Sequence, residues 1–531
     1  MYQKYFDELI SLDPTINDAL NLKKYKHLQN QFPNYLSSSY ATKQKDLCNK
    51  YLDIINNKKK LNYYDKVLKY NLETELESFD TIGDLFPITH EENIIAGFCD
   101  EAAGNWVYQF KTHQDYYDFV ERAKVFPDIV DSIICNMRKG IVKNIVLPKI
   151  LTQKLIKQLK ITYKNKVYHN PKAPKTLKLD YNKTIESILS PKIKQILEFL
   201  IKEYLPKTRE TIGLCCLKGG KKYYKLLAQQ HISLDKDSKY CNIPYIHKYG
   251  LREVERIHKE MMKTKEKYGF KGTINEFNQH LKSRKDLFFQ SPEKVLNYYR
   301  KIQTYLNNTI LKKYFNSDVT NISHKCVIKK VPKHNEEFQS GAYYLHPTID
   351  GSRKGTFYIN FSQKYSSYKM EVESLLLHED SPGHHMNLTY LMESKLPLFI
   401  KMGDYKGFSE GWGMYSESLG EYKELWSYYG RLNMELMRAI RLVLDTGLHY
   451  YGWSFQKALN YYKKYSLYEI DEMKTHIYRY LAYPGQALCY KMGEKVILDL
   501  AEKYKGNIKD FHSKCLKYSN IPLKLLIEEF K

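Results

Sequence analysis

The stretch Glu371–Tyr390, EVESLLLHEDSPGHHMNLTY, contains the pattern that decides how the rest of the chain is interpreted. Apolar residues recur at helical spacing up to a His-Glu pair at 378–379, and a His-His pair follows at 384–385. Helical zinc hydrolases commonly place two histidines at i and i+4, with a glutamate directly after the first. Here the i+4 position is Pro382, which cannot bind a metal, so the pattern departs from the common motif.

The six-residue spacing between the histidines needs a distorted backbone. On an ideal helix, His384 would lie about 9 Å along the axis from His378 and about 600° around it, too far to share one ion. Pro382 has no N–H to donate to the carbonyl of His378, and Gly383 allows unusual backbone angles, so we expect the helix to bulge. His385 would face the same side as His378 but about 10 Å along the axis, so we prefer His384 as the ligand and His385 as its neighbour. The alternative is a helix that ends at Pro-Gly, with the histidines exposed in a turn.

A second segment, FSEGWGMYSESLGEY at residues 408–422, adds a third candidate ligand. Glu410 follows His384 by 26 residues, and two histidines joined by a glutamate from another helix form the ligand set of the His-His-Glu peptidases. Glu417 and Glu421 follow at i+7 and i+11 on the same helical face, where carboxylates could orient the ligands from behind. The alternative is an acidic face in contact with solvent, although the aromatic residues between these acids favour partial burial.

The composition of the 531 residues is that of a folded protein without membrane spans. Hydrophobic residues make up 43% and aromatic residues 14%, which excludes wholesale disorder. No apolar run approaches the roughly 20 residues that cross a bilayer, and the first residues lack the layout of a secretory signal. Nine irregularly placed cysteines without a CxxC pair fit reduced thiols. We therefore expect a cytoplasmic protein.

The net charge of +24 is unevenly distributed. Residues 1–330 hold 58 basic and 36 acidic side chains, whereas residues 331–531 hold 26 and 24. Within one domain spanning 1–531, we expect a basic helical scaffold in the first part and the active-site part in the second. The basic excess also suggests nucleic acid or another polyanion as a partner. However, 72 of the 84 cations are lysine, and arginine reads phosphates and base edges better, so this stays an alternative.

Helical periodicity predicts a mainly α-helical protein. Residues 72–86, 115–141 and 190–206 carry apolar side chains three to four residues apart. The exception is GAYYLHPTIDGSRKGTFYINFS at 341–362, which has two aromatic and β-branched runs around a connector with Pro and Gly. That pattern predicts a small β-hairpin beside the chemical centre.

Five segments together resemble a largely bacterial family, the domain of unknown function family eight hundred and eighty-five. In chain order they are DGSRKGTFYIN, HEDSPGHH, EGWGMYSE, DTGLHYYGWS and YPGQALCYKMG. That family is similar in pattern to the gluzincin peptidases of the carboxypeptidase Taq and thimet oligopeptidase type. Those place a glutamate ligand, and a second glutamate seven residues on, after their histidine motif, whereas the histidine motif here is two residues longer. The resemblance implies a large helical metallopeptidase-like fold with a deep cleft.

The resemblance also implies a reaction. One zinc ion would be held by His378, His384 and Glu410, and Glu379 would act as the general base on the metal-bound water. The protein would then be a zinc-dependent hydrolase that cleaves peptide bonds. The alternative is a binding protein that keeps the peptidase-like fold but has lost the activity.

Further residues are candidates for contacts with a peptide substrate. His449 and Tyr490 lie in family-like segments, and both side chains can donate a hydrogen bond to a developing oxyanion. We expect the strand within 356–361 at the cleft edge, where it could pair with an extended peptide. Candidate substrate contacts are then Arg353, Asn360 and, for a carboxylate, Arg479. Each could equally be a turn or packing residue.

Overall fold

The structure is a computed structural model that describes residues 1–105, 107–331, 341–361, 368–518 and 520–531. In these residues most of the chain is helical and one small sheet is present, which confirms the mainly α-helical prediction. Among the helices described, none combines the length and apolar character needed to cross a membrane. All nine cysteines lie in the described part, and each is a free thiol.

The chain forms two compact units. Unit 1 comprises Met1–Tyr224, Pro397–Met402 and Leu481–Tyr483, and unit 2 comprises Lys225–Leu396, Gly403–Tyr480 and Pro484–Lys531. Unit 2 thus begins well before residue 331, so residues 225–330, which hold 22 basic and 10 acidic side chains, fold with the candidate site. The prediction of a single domain over 1–531 stays a prediction.

Capping side chains determine where several helices of the N-terminal half begin. Asn62 and Thr112 each accept a hydrogen bond from a backbone N–H in the first turn, from Asp65 and Asp115, whose carboxylates bond back to the cap. The first ten helices are α1 (Tyr2–Leu12), α2 (Ile16–Leu20), α3 (Ser38–Asn56), α4 (Tyr63–Ser78), α5 (Ile94–Ala102), α6 (His113–Ala123), α7 (Phe126–Val142), α8 (Lys149–Lys164), α9 (Lys175–Phe199) and α10 (Gly220–Ile232).

Two of the predicted helical segments are shorter in the structure. The helix expected over 72–86 ends at Ser78, because the backbone of Asp80 has a positive φ of 57°, and the chain resumes as a short 3-10 turn. The segment 115–141 forms two helices, α6 and α7, and Pro127 lies in the first turn of the second, where proline is favoured. The periodicity identified the helices but not these interruptions.

The core of unit 1 is an apolar cluster packed between α5, α6, α7, α8 and α9. Phe98 is fully enclosed, and the centroid of its ring lies 5.5 Å from that of Phe119 and 5.2 Å from that of Phe126. Burying each such ring removes roughly 150–250 Å² of surface from water, so this cluster stabilises the unit by the hydrophobic effect.

Unit 2 is built around two helices whose backbones touch, α18 (Lys406–Glu417) and α22 (Cys489–Lys503). A Cβ on Gly411 would lie 2.4 Å from the carbonyl carbon of Gly493, so only glycine allows this approach. The remaining helices of the chain are α11 (Ile243–Lys267), α12 (Ile274–Ser283), α13 (Pro292–Tyr314), α14 (Ser317–Thr320), α15 (Val372–Glu379), α16 (His384–Glu393), α17 (Leu398–Lys401), α18 (Lys406–Glu417), α19 (Leu425–His449), α20 (Phe455–Tyr465), α21 (Ile470–Ala482), α22 (Cys489–Lys503), α23 (Ile508–Lys517) and α24 (Leu523–Glu529).

The small sheet has three strands, β1 (Val327–Lys330), β2 (Ala342–Leu345) and β3 (Thr356–Ile359), in the order β1-β3-β2. Strands β2 and β3 pair antiparallel, which confirms the predicted hairpin, and β1 pairs parallel to β3 and was not predicted. Because both edges of β3 are already paired, the prediction that this strand adds an extended peptide is wrong.

Candidate metal centre

The histidine motif lies across a break between two helices. Helix α15 ends at Glu379 and α16 begins at His384, so the helix does not bulge but stops and restarts. The indole N–H of Trp412 donates to the carbonyl of Pro382 at 2.8 Å, which fixes the connecting segment against α18. A Cβ on Gly383 would lie 1.9 Å from the carbonyl oxygen of His378, so the turn requires glycine. The break brings the ring centroids of His378 and His384 to 4.8 Å from one another.

Four side chains converge at this break. Oε2 of Glu410, on α18, lies 3.3 Å from Nε2 of His378 and 3.7 Å from Nε2 of His384. One ligand atom each from His378, Glu379 and His384 also lie within 4.8 Å of one another. Both histidines are buried, whereas the two glutamates keep some accessible surface. We call these four residues the metal cluster.

The opposite nitrogen of the first histidine is held by a carboxylate. Oε1 of Glu417 lies 2.8 Å from Nδ1 of His378, and Oε2 of the same carboxylate accepts a hydrogen bond of 2.7 Å from Ser374. Arg438, on α19, lies 3.5 Å from Glu417. Gly413 leaves room for the imidazole, since a Cβ there would lie 2.6 Å from Cε1 of His378. A histidine whose Nδ1 is fixed by a carboxylate presents Nε2 to a metal in a set orientation.

The carboxylates of Glu410 and Glu417 favour the protonated, positively charged form of His378. Burial opposes protonation of His378, but Glu410 and Glu417 overcome this and raise its pKa to about 9. Burial alone would raise the pKa of Glu410, yet hydrogen bonds with His378 and His384 hold it well below its usual range. The pKa of Glu417 is also lowered, against the effect of burial, mainly by the charge of Arg438. Both carboxylates are therefore ionised, Glu410 beside Nε2 of His378 and Glu417 beside Nδ1.

His385 turns away from the metal cluster. Its Nδ1 lies 2.9 Å from the hydroxyl of Tyr344 on β2, and its Nε2 lies 3.0 Å from the carbonyl oxygen of His324. The ring is fully buried, and burial lowers its pKa to about 4. Both ring nitrogens have protein partners, so His384 and not His385 lies with His378, while His385 ties α16 to the sheet.

The position of Glu421 contradicts the prediction that this carboxylate orients the metal ligands. Helix α18 ends at Glu417, so the helical face extrapolated to i+11 does not exist. The Glu421 carboxylate accepts a hydrogen bond of 2.9 Å from the hydroxyl of Tyr305 and lies 3.3 Å from Nζ of Lys313. The prediction that it orients the metal ligands is wrong, because these contacts hold it to α13.

Tyr490 is within electrostatic range of Glu410 of the metal cluster. Gln486 donates a hydrogen bond of 3.3 Å to its hydroxyl, and the guanidinium of Arg441 lies 4.7 Å from the ring centroid. Burial, with a contribution from the carboxylate of Glu410, raises the pKa of Tyr490 to about 12, so the hydroxyl keeps its proton and can donate it to a hydrogen bond.

The second candidate donor, His449, is tied to the backbone. It is the last residue of α19 and is 1% exposed. Its Nε2 lies 2.9 Å from the carbonyl oxygen of Tyr480, to which it donates. This is the hydrogen bond of a packing histidine, and its contact with an oxyanion stays a prediction.

The three candidate substrate contacts lie in different settings. Arg353 closes the loop of the hairpin, where its Nε donates to the carbonyl of His346 at 3.2 Å. Asn360 follows β3 and has no exposed surface. Arg479 lies on α21, partly buried, within electrostatic range of Tyr490. Arg353 therefore contacts the hairpin turn, and the charge of Arg479 acts on Tyr490, while contacts of all three residues with a substrate stay predictions.

Sequence reasoning missed the residues that support the metal cluster. Ser374 precedes His378 by one helical turn and could have been found from that spacing. Trp412 and Gly413 stand inside the second motif, but nothing in their types indicates a hydrogen bond to Pro382 or space for an imidazole. Arg438 comes from a separate helix, and only the tertiary structure brings it to Glu417.

Comparison with known proteins places the chain among bacterial relatives. Residues 14–529 match the model of the family described as "Bacterial protein of unknown function (DUF885)", which confirms the family expected from the motifs. The fold is similar to that of a "putative lipoprotein" from Colwellia psychrerythraea, with a TM-score of 0.82 and 22% identity over 100% of this chain and 97% of that chain. It is also similar to a "putative lipoprotein of unknown function" from Shewanella oneidensis, with a TM-score of 0.72 and 16% identity over 99% and 98%. These similarities show the fold alone, and no curated protein matches the chain.

Proposed function

The chain belongs to the DUF885 family of bacterial proteins, and we propose that it is a zinc-dependent hydrolase that cleaves peptide bonds. The observation that carries the proposal is the convergence of Nε2 of His378, Nε2 of His384 and Oε2 of Glu410, with Glu379 beside them. Two imidazoles and a carboxylate, with a second carboxylate next to the first histidine, are the residue types that such a hydrolase needs.

The spacing of the donor atoms fits zinc. Two atoms that bind one tetrahedral zinc ion at about 2.1 Å lie about 3.4 Å apart. The carboxylate oxygen of Glu410 lies 3.3 Å from Nε2 of His378 and 3.7 Å from Nε2 of His384, close to that value. The carboxylate of Glu417 behind His378 supports the same assignment, because ligating histidines usually donate their other N–H to such a group.

Each residue has a part in hydrolysis. A bound zinc ion would supply Lewis acidity, which lowers the pKa of a water and polarises the substrate carbonyl. Glu379 would accept one proton as the water oxygen bonds to the carbonyl carbon, and would pass that proton to the nitrogen as the C–N bond breaks. Tyr490 would donate a hydrogen bond to the carbonyl oxygen while it carries negative charge. The products are a carboxylic acid and an amine, which at neutral pH exchange the second water proton to give a carboxylate and an ammonium group.

The test replaces the proposed base and measures two properties. Glu379→Gln should lower peptide hydrolysis about 10²–10⁴-fold, because general acid–base catalysis contributes that much, while zinc stays bound. Hydrolysis is measured by mass spectrometry on a mixed peptide library, and zinc by elemental analysis of the same samples. Glu421→Gln is the matched control, since that carboxylate contacts Tyr305 and Lys313 instead.

Two results would contradict the proposal. Unchanged hydrolysis in Glu379→Gln would remove this residue as the base. A wild-type protein that binds one zinc ion but cleaves no peptide would favour a binding protein of the same fold.

A further inference from the structure

Arg441, on α19, is a buried cation that forms no ion pair with a carboxylate of the described residues. Its Nε is fully buried and has no hydrogen-bond partner. The guanidinium lies over the ring of Tyr490, 4.7 Å from the centroid. The residue as a whole is largely but not completely buried, so part of it stays accessible to solvent. An unmatched buried charge costs free energy, so the fold keeps this one against a penalty.

Three other buried arginines, Arg122, Arg438 and Arg209, have carboxylate or backbone carbonyl oxygens close to the guanidinium. Arg122 donates to a carboxylate of Asp18 at 2.6 and 3.2 Å. Arg438 lies 3.5 Å from a carboxylate and donates to a backbone carbonyl at 3.0 Å. Arg209 has no carboxylate, but its guanidinium donates to four backbone carbonyls. Nε of Arg438 is also buried without a partner, but its guanidinium has the carboxylate of Glu417 at 3.5 Å, whereas Arg441 has no carboxylate of the described residues within ion-pair distance.

The surroundings keep Arg441 charged and add a second cation. Burial lowers the pKa of Arg441, but the hydroxyls of Tyr480 and Tyr490 outweigh this and raise it. Arg479 is close enough to act on the same neighbours: burial, then the charges of Arg441 and Arg479, lower the pKa of His476 to about 3. The histidine is thus neutral at physiological pH and adds no charge. Two arginine charges therefore act on this corner of unit 2.

Tyr490 links Arg441 to the metal cluster. The guanidinium of Arg441 lies 4.7 Å from the centroid of the tyrosine ring, and the charge of Glu410 acts on the tyrosine hydroxyl. The same tyrosine lies one helical turn before Gly493, where α22 touches α18 beside Glu410. Arg441 is therefore coupled through Tyr490 to the surroundings of the metal cluster.

We propose that Arg441, assisted by the charge of Arg479, binds a carboxylate of the peptide substrate. A guanidinium presents paired N–H donors that match a carboxylate, and arginine is the preferred residue for this recognition. The carboxylate can come from the C-terminus of the peptide or from an acidic side chain, and the C-terminus would direct cleavage to bonds near that end. This inference rests on the proposed peptide hydrolysis but concerns binding, so it can be tested apart from turnover.

The test measures binding in the Glu379→Gln protein, which prevents turnover. Isothermal calorimetry compares penta-alanine with its C-terminal amide, and with an amidated peptide that ends in Asp. The free acid should bind about ten- to a hundredfold more tightly than the amide, as expected for a charge-assisted hydrogen-bonded pair. Adding Arg441→Gln should reduce this preference to less than about threefold, and Arg441→Lys should keep part of it. Tight binding of the amidated Asp peptide would identify an acidic side chain as the source.

Arg300→Gln is the control, because Arg300 is exposed and lies on α13. It should leave the preference unchanged. The proposal is overturned if acid and amide bind equally, or if Arg441→Gln keeps the preference of the parent protein. If Arg441→Gln does not fold, Arg441→Lys decides, since a preference undiminished in that variant also overturns the proposal. Carboxylate preference in a protein that hydrolyses no peptide would refute the hydrolase and leave this site standing.

Discussion

Unit 2 contains two buried charge clusters, and they differ in spacing. In the first, Nζ of Lys491 lies 3.2 Å from Glu253, 2.6 Å from Glu435 and 2.5 Å from Glu494, and the lysine is 1% exposed. Two arginines bind the same acids, Arg256 and Arg431. Three cations therefore match three carboxylates at hydrogen-bond distance, and the cluster fastens α11, α19 and α22 together.

The metal cluster combines two carboxylates with two imidazoles in place of lysine and arginine. Oε2 of Glu410 lies 3.3 and 3.7 Å from the imidazole nitrogens, and one ligand atom each of His378, Glu379 and His384 lie within 4.8 Å of one another. Atoms at hydrogen-bond distance satisfy one another, whereas atoms about 3.4 Å apart can share an ion. The difference teaches that spacing, more than burial or charge, separates a structural network from a ligand site.

The largest effect should come from removing a metal ligand. His384→Ala should abolish zinc binding and lower peptide hydrolysis at least about 10³-fold, because the lost ligand opens the coordination shell. His385→Ala, one residue on, should keep one zinc ion per chain, since its ring contacts Tyr344 instead. Zinc content after dialysis and peptide turnover measure both variants. The reverse pattern would assign the metal to His385.

A substitution in the Lys491 network should lower the free energy of unfolding and leave the zinc content unchanged. Lys491→Met leaves three buried carboxylates with one cation fewer, so the free energy of unfolding should fall by about 3–5 kcal/mol. Urea denaturation measures this change. The matched control is Lys495→Met, whose ammonium pairs with a carboxylate at a partly exposed site, and about 0.5 kcal/mol is expected there. Equal losses in the two variants would mean that the network is not a buried structural unit.

A smaller effect, on zinc affinity, is expected from replacing Glu417, which contacts Nδ1 of His378. Glu417→Gln removes the negative charge that holds Nδ1 of His378, so zinc affinity should fall about 10–100-fold, as for other supports of this type. Competition with a chromogenic chelator gives the affinity. Unchanged affinity would show that the contact between Glu417 and His378 serves packing alone.

The smallest effect is expected for Glu421, which the sequence pattern placed on the same helical face as Glu417. Glu421→Gln should change zinc affinity by less than about twofold and leave the urea midpoint of unfolding nearly unchanged, since its contacts are exposed. The same chelator competition and urea denaturation apply. A tenfold loss of zinc affinity would place Glu421 with the metal cluster after all.

The sequence predicted helices, the hairpin and the members of the metal cluster from residue type and period. It missed β1, because Val327–Lys330 has only four residues and ends in two exposed lysines, which resemble a loop. It misplaced Glu421, because a helical face was extended past Glu417, where the helix ends. Such boundaries depend on local backbone geometry that side-chain periodicity does not record.

Contacts between helices that are far apart in the chain could not be predicted from the sequence. Arg438 and Arg441 stand one turn apart on α19, and their residue types give no reason to treat them differently. One meets Glu417, whereas the other meets the ring of Tyr490 and no carboxylate of the described residues. Only the packing of α19 against other helices separates a structural arginine from a candidate ligand.

The break between α15 and α16 also bears on how such proteins are found in genomes. When both histidines belong to one helix, the helical repeat restricts their separation to about one turn, and a search can rely on that fixed number. With His378 in the last turn of one helix and His384 beginning another, the connecting turn sets the separation, and its length can change without disrupting either helix. Pattern searches built on a fixed histidine spacing would pass over this protein. A search for a His-Glu helix end, a short Pro-Gly turn and a histidine helix start would find others like it.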